Sequence, residues 1–452
     1  MKPGPGCRDD GLNLHSSPLL LRFGGLKYRR RPGYGRFTVE GDNASVIEPI
    51  APQARGIQGL TRAGAPLGLF VVLGLTAGAV GVAWPPMRES FGAPLAGLGL
   101  ILAAITAAYF TGSASSGPLG ARFGRAVLLL SGCALAAVGL VAVSVATQWL
   151  LIPIFCLVLG AGFGLIDAAV NAHVSLNRGV RYMGWLHASW AVGAALGPQV
   201  VVVSLAVTGS WRAAFAFTGG AFLAIGMVIA LQRREWTLSS ARLGQSNASH
   251  PAPTSSYRRA MLLLAALLLV AAGLEATAGD WSYTQLTLGR SMSGAVASWG
   301  ATLFWAGLAA GRVGLGLLGN RVAPVRLLDA SMALSAVAAF AFWLSPPLIS
   351  AVIALPLLGI AVSVIFPLLL SLTPARVGTA MTGHAVGYAL AAGTLGGGAL
   401  PAAIGLVLQA SGLGALGPAM LAMAVGLASL HVVSRSDASP RSVQRRRDLP
   451  GS

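Results

Sequence analysis

Long apolar runs, each closed by a short polar turn, recur from residue 66 to residue 432. A helix that crosses the hydrocarbon of a bilayer needs about 20 apolar residues. The pattern therefore predicts twelve spanning helices, at roughly 66–85, 95–115, 126–146, 149–171, 184–206, 213–231, 260–280, 296–318, 326–345, 348–370, 382–408 and 414–432. Pro85-Pro86 and Pro346-Pro347 are expected to punctuate turns, where the missing proline donor costs least. The widest polar interval, Gln232 to Arg259, carries Arg233, Arg234, Ser-rich sequence, Pro251 and Pro253, and reads as a linker. The expected organisation is a disordered basic tail at 1–64, a six-helix bundle at 65–231, the linker at 232–259, a second six-helix bundle at 260–432 and a basic tail at 433–452.

Composition narrows this to a polytopic membrane protein: 55% of the 452 residues are hydrophobic and 10% are charged. The net charge of +18 has a topological explanation. With twelve spans assigned, Arg88, Arg212 and Arg290 fall on one side, and the remaining Lys and Arg fall in the two tails, the even-numbered loops or the helix ends bordering them. By the positive-inside rule both termini are then expected in the cytoplasm, with the chain in the plasma (inner) membrane. The run Lys27-Tyr28-Arg29-Arg30-Arg31 is basic enough to rest on anionic lipid. No basic face with base-reading groups is visible, so nucleic acid is not an expected partner. Cys7, Cys133 and Cys156 form no disulfide or metal spacing, and no metal or cofactor is expected. No Met stands between Met1 and Met87, and part of the amino-terminal tail is expected to lie upstream of the native start.

The turn Gly117-Pro118-Leu119-Gly120-Ala121-Arg122-Phe123-Gly124-Arg125 joins the second and third apolar runs. Arginine is costly in hydrocarbon, so Arg122 and Arg125 pin this turn to the membrane surface. A fainter copy, Gly316-Leu317-Leu318-Gly319-Asn320-Arg321, lies about two hundred residues on, the length of a six-helix half. Gly112 with Gly311, Leu128 with Leu327 and Gly160 with Gly359 keep the same offset. These loops resemble the signature of the major facilitator superfamily, with Ala121 and Asn320 where its Asp usually stands. The resemblance spans nearly everything from 65 to 432. It implies an all-α fold of twelve transmembrane helices in two pseudo-symmetric six-helix bundles, acting as a monomer.

Polar residues inside spans are the informative ones, because an acid at mid-bilayer costs roughly 2.5–3.5 kcal/mol on insertion scales. Glu275 stands about 16 residues into the seventh span, ~24 Å from its start. The stretch Glu275-Ala276-Thr277-Ala278-Gly279-Asp280-Trp281-Ser282 resembles a pattern of the fucose-permease-like, sugar-permease branch of the family. Glu275 is the candidate for proton coupling, or for a bond to a substrate hydroxyl, or for a brace of the outer gate. Asp280 reads as a helix-end residue, and Trp281 as a belt aromatic or a stacking platform. In the superfamily an acid at the inner end of span 4 pairs with the last signature Arg, which implies a cytoplasmic latch of Arg122, Arg125 and Asp167. Arg312 and Arg321 would mirror it in the second half, Arg312 with Asp329. Tyr109, Asn171, His187, Trp190, Trp281, Trp305, His384 and Tyr388 are candidate cavity-lining residues, since aromatic faces with a few polar groups suit small polar solutes. Each of them also reads, singly, as a packing residue.

The function expected is secondary transport of a small sugar-like or other polar solute by alternating access, coupled to protons. The first span carries no acid, unlike that of the fucose permease. Efflux of drugs against protons is the alternative. Gly193, Gly197 and Pro198 match half of the antiporter signature of drug exporters, while Gln199 and Val200 stand where its next glycine would. A sensor or scaffold would need a folded tail module. An enzyme would need acid, base or metal groups clustered at one depth, and here they are spread.

Overall fold

The computed structural model describes residues 20–23, 26–30, 37–39 and 57–437, less 178, 234–235, 237–254, 319–320 and 378–381. The linker and the carboxy-terminal tail lie largely outside the described residues. The chain divides into two compact units, Met1–Thr61 and Arg62–Ser452. The first holds three antiparallel strands in the order β1 (Leu20–Phe23), β2 (Leu26–Arg30), β3 (Phe37–Val39). Leu21 is paired with Tyr28 and Arg29 with Thr38. Composition reads this stretch as disordered. The alternation Leu26-Lys27-Tyr28-Arg29 nevertheless has the period of two that a strand requires.

The second unit is helical. Its long helices are α1 (Ile57–Phe91), α2 (Gly97–Phe123), α3 (Arg125–Val145), α4 (Leu151–Asn177), α5 (Gly179–Thr208) and α6 (Arg212–Leu231). After the linker come α7 (Ser255–Thr284), α8 (Gly294–Leu318), α9 (Pro324–Leu344), α10 (Pro347–Ser371), α11 (Thr382–Ser411) and α12 (Leu416–Asp437). Among the described residues, eleven of these are long and apolar enough to cross a membrane. Large apolar side chains such as Val138, Val207, Phe217 and Leu317 are exposed along the helices, as a lipid-facing belt requires.

Pro85 and Pro86 do not end the first span, as the sequence suggests they would. They sit inside α1, which runs on to Phe91. The stop is Gly92, at a left-handed φ of 59°, with the Ala93 amide donating back to the Arg88 carbonyl at 3.0 Å. That is a Schellman-type end, which glycine adopts without a Cβ penalty. Gly124, at φ 86° and ψ 156°, makes the signature turn between α2 and α3, a backbone conformation open to glycine for want of a Cβ. Pro346-Pro347 does mark a turn before α10. α10 itself is irregular, with a π-helical turn at Ser350–Ala354 and a break at Val364, close to Pro356 and Pro367, which lack the donors a regular helix needs.

The repeat seen in the sequence is also a repeat of packing. A Cβ on Gly112 would strike the Ala161 carbonyl, and one on Gly160 the Ile105 carbonyl, so α2 and α4 meet backbone to backbone. In the second half Gly311 meets Ile360 and Gly359 meets Phe304, joining α8 to α10. All four partners keep the offset that relates the glycines. Small residues permit such contact where lipid supplies no hydrophobic drive between helices.

Between α7 and α8, Arg290 acts as a clamp. Its guanidinium donates to the carbonyls of Phe342 (2.6 Å), Trp343 (3.0 Å) and Ser345 (3.2 Å) and to Ser350 Oγ (2.6 Å). These are orphan carbonyls at the end of α9. Arg290→Ala should lower stability by roughly 1.5–3 kcal/mol, the range for charge-assisted bonds. A fall of several degrees in detergent melting temperature checks this, with Arg290→Lys recovering only part of the loss.

Candidate functional site

The two bundles meet along α2 with α11, and α5 with α8. Most of the contacts that follow lie in the half of the molecule away from the signature turn. The Ala96 amide donates to Gln409 Oε1 at 3.1 Å, Gly99 rests on Ala402, and Gly398 faces Thr106. Gln199 Nε2 donates to Thr302 Oγ1 at 3.1 Å and to Ser298 Oγ at 3.4 Å. The same helix faces continue toward the signature-turn side, at Phe110 and Gly117 of α2 and at Leu395 and Tyr388 of α11. There they are exposed, Tyr388 at 64%. The bundles thus touch on the far side, and the matching faces toward the signature turn are exposed.

Near the meeting of α7, α8 and α5 lies an ion pair. Arg312 Nη2 of α8 is 3.5 Å from Glu275 Oε1 of α7, with side chains 22% and 18% exposed. The Arg312 guanidinium also sits 5.7 Å from the ring centroid of Trp190 on α5, a cation–π contact that crosses from one bundle to the other. Trp190 in turn meets Trp305 edge to face at 5.5 Å. His187, one turn from Trp190 on α5, is exposed and stands edge-on to Phe70 at 5.9 Å. Glu275, His187, Trp190 and Trp305 are brought together as one neighbourhood, and Arg312, expected opposite Asp329, joins them here. Its guanidinium is drawn to the carboxylate at mid-depth, while Asp329 is held by His431 (2.8 Å) and Arg435 (2.7 Å) of α12.

The expected latch in the first half is also paired differently. Asp167 accepts from Tyr109 Oη at 2.7 Å and from Asn171 Nδ2 at 3.0 Å. Arg125, buried at the start of α3, approaches His173 Nδ1 at 3.4 Å. The tyrosine supplies a short neutral donor across the α2–α4 seam, so Asp167 is satisfied without an arginine. Tyr109 and Asn171 are therefore tied to this bond inside the first bundle. Arg122 is exposed, with its guanidinium over the Phe123 ring, and Arg321 is exposed. Trp281 is fully buried and donates to the Pro401 carbonyl at 2.9 Å, which fixes α7 to α11 and removes it from any lining. The side chain of His384 lies outside the described residues, as do Gly319 and Asn320.

Two features escaped sequence reading. Gln199 spans the two bundles, although it stands in a slot read only as a departure from a signature. Asp280 is not at a helix end. α7 continues to Thr284 and then through a π turn to Gly289, and Asp280 lies 8% exposed against α1. The apolar run around Gly81, without a charge for several residues, was the available signal that a close partner stood there.

Comparison with known proteins agrees with this architecture. Residues 67–401 match the Major Facilitator Superfamily. An uncharacterized MFS-type transporter of Yersinia pestis is 28% identical over 369 residues, covering 78% of this chain and 92% of that protein. The class C tetracycline resistance protein of Escherichia coli is 28% identical over 193 residues, covering 40% of this chain and 48% of its own length. Among solved structures, that of the transporter FucP in the outward conformation aligns with a TM-score of 0.55 at 16% identity, covering 84% of this chain and 99% of FucP. At that identity the likeness speaks to the fold. The chain belongs to the major facilitator superfamily and is a membrane transporter, not an enzyme.

Proposed function

We propose that this chain carries a small polar solute by alternating access between its two bundles, coupled to protons, with the Glu275–Arg312 pair at its centre. One observation carries this reading. A carboxylate and a guanidinium from the second bundle meet an indole of the first where the two halves come together. Polar and aromatic groups converging there fit a solute with hydroxyl or other hydrogen-bonding groups. A carboxylate whose partner is a single arginine at 3.5 Å is able to exchange that partner for a solute or a proton. The charge bias supports a cytoplasmic signature-turn side, on which reading the exposed faces there belong to an inward-facing conformation. The sugar-like class rests on the Glu275…Asp280-Trp281-Ser282 resemblance.

A second reading is export of a drug or metabolite in exchange for protons. It is favoured by the half-length similarity to a tetracycline resistance protein and by Gly193, Gly197 and Pro198 in α5. Uptake by proteoliposomes separates the two. Solutes that raise the melting temperature of the detergent-solubilised protein are offered with and without an imposed pH gradient. Accumulation with the inward proton gradient supports symport, and release against it supports antiport. Absence of gradient-dependent movement for every stabilising solute would overturn proton-coupled transport.

A further inference from the structure

On the far side of the second bundle, the π turn after α7, the end of α9, the start of α10 and the turn before α12 surround a cavity of about 470 Å³. Sites for small ligands run to about 300–1,000 Å³. Gln285, Arg290, Trp343 and Ser345 give the cavity its polar lining, and no Asp or Glu lines it among the described residues. The lining is a set of donors. Arg290 has five N–H groups, and its two Nη atoms are spent on the carbonyls of Phe342, Trp343 and Ser345 and on Ser350 Oγ. The Nε–H that remains meets no acceptor among the described residues, and neither does the indole N–H of Trp343. Gln285 is only 4% exposed, yet its Oε1 has no partner and no described group engages its Nε2.

The guanidinium is fixed but not neutralised. Its partners are carbonyl and hydroxyl oxygens, which orient it and leave its unit charge whole, and no carboxylate among the described residues pairs with it. A cation already held in one geometry loses little freedom when an anion arrives, so the attraction is spent less on ordering. The border of the cavity indicates which anion. Trp343, Leu344, Leu348 and Ile349 are exposed beside it. These belong to the lipid-facing belt, with the indole at the level where such rings meet headgroups.

We infer that this cavity seats the phosphate of a bilayer lipid from the far-side leaflet. The charged oxygens of a phosphodiester only accept hydrogen bonds, and the lining offers them the N–H of Arg290 Nε, the indole N–H of Trp343 and the Gln285 amide. Arginine with phosphate is among the stronger charge-assisted pairs. The acyl chains then leave over Leu344 and Leu348, which are exposed in the direction lipid occupies. A soluble phosphate shares the headgroup chemistry and lacks the part that the apolar border would hold. Bound there, the lipid supplies the anion that the Arg290 clamp lacks and ties the end of α7 to the ends of α9 and α10.

This goes beyond the transport reading, and its test needs no solute. The full chain in detergent is photolabelled with phosphatidylglycerol carrying a diazirine in its headgroup, and the labelled peptides are mapped by mass spectrometry. Label is expected on the segments around Arg290, Ser345 and Gly414, suppressed by excess dioleoyl phosphatidylglycerol and not by dioleoylglycerol. Gly414 lines the cavity, and a Cβ there would meet nothing within 4 Å. Gly414→Glu therefore places a carboxylate beside Arg290 without disturbing the clamp, and should cut this labelling at least about tenfold, while Gly414→Gln, of the same size, should cut it less than about threefold. Should Gly414→Glu not fold, Ser345→Asp is expected to give the same loss. No label at this cavity, or labelling of the folded acidic variant equal to that of the unmodified chain, overturns the inference. Suppression by inorganic phosphate as complete as by the lipid overturns the lipid as its source. Failure of solute uptake leaves this labelling unchanged and would count against the transport reading alone.

Discussion

Glu275→Gln is expected to abolish accumulation driven by a proton gradient while leaving solute exchange in place. The amide keeps the shape of the carboxyl but binds no proton and carries no charge. Exchange needs only that the loaded bundles rock, whereas accumulation needs the empty carrier to return in a defined protonation state. The same change leaves Arg312 without its carboxylate, and removing one member of a buried pair costs about 3–5 kcal/mol. The pair here is partly open, 22% and 18% exposed, so the lower end of that range applies. A double variant, Glu275→Gln with Arg312→Gln, separates the two effects. It should recover most of the melting temperature, because an unpaired charge costs more than two neutral amides, yet still fail to accumulate solute. Accumulation that persists at the unmodified level in Glu275→Gln would remove this residue from coupling.

The second large effect belongs to the seam of α1 with α5. Cβ atoms on Gly74, Gly78 and Gly193 would strike the backbone carbonyls of Trp190, Ala194 and Val71, respectively. A carbonyl in a helix cannot step aside as a flexible side chain can, so the helices themselves would have to separate. Overpacking of this kind costs about 1–3 kcal/mol or more per site, against a total stability of about 5–15 kcal/mol. Gly78→Ala with Gly193→Ala should therefore remove most of the monodisperse protein on size exclusion. Gly220 on α6 is the contrast, because a Cβ there would meet nothing within 4 Å. Gly220→Ala should be neutral or gain up to about 1 kcal/mol through helix propensity. Equal yields for the two variants would show that the glycines are not seats for a neighbouring backbone. The displaced residue would also be Trp190, whose indole faces Arg312, so weaker variants of this seam should lose transport before they lose the fold.

The two halves of the molecule were readable because apolar length and glycine spacing are properties of the chain itself. A run of about 20 apolar residues has one low-cost fate in a bilayer. Gly112 with Gly311 and Gly160 with Gly359 announce by position the packing that the bundles repeat. Glu275, Trp190 and Trp305 were also visible, as polar or aromatic groups in the wrong solvent. What they touch was not. The family pattern pairs Asp167 with Arg125 and, as its mirror in the second half, Arg312 with Asp329. Rotation of each helix decided instead for Glu275 and for Tyr109.

Pro85-Pro86 shows the same division from another direction. Proline reports a missing donor, but whether a helix ends depends on what happens to the freed carbonyls, and here the end waits for Gly92. The sequence by itself determined the number of spans, their pairing into two related bundles and the family, because hydropathy and repeat spacing act along the chain. Only the tertiary structure decided which acid has a partner and which, among the described residues, has none. Glu275 and Asp280 stand five residues apart on one helix, and about 100° per residue turns the first toward Arg312 and the second onto the backbone of Gly81.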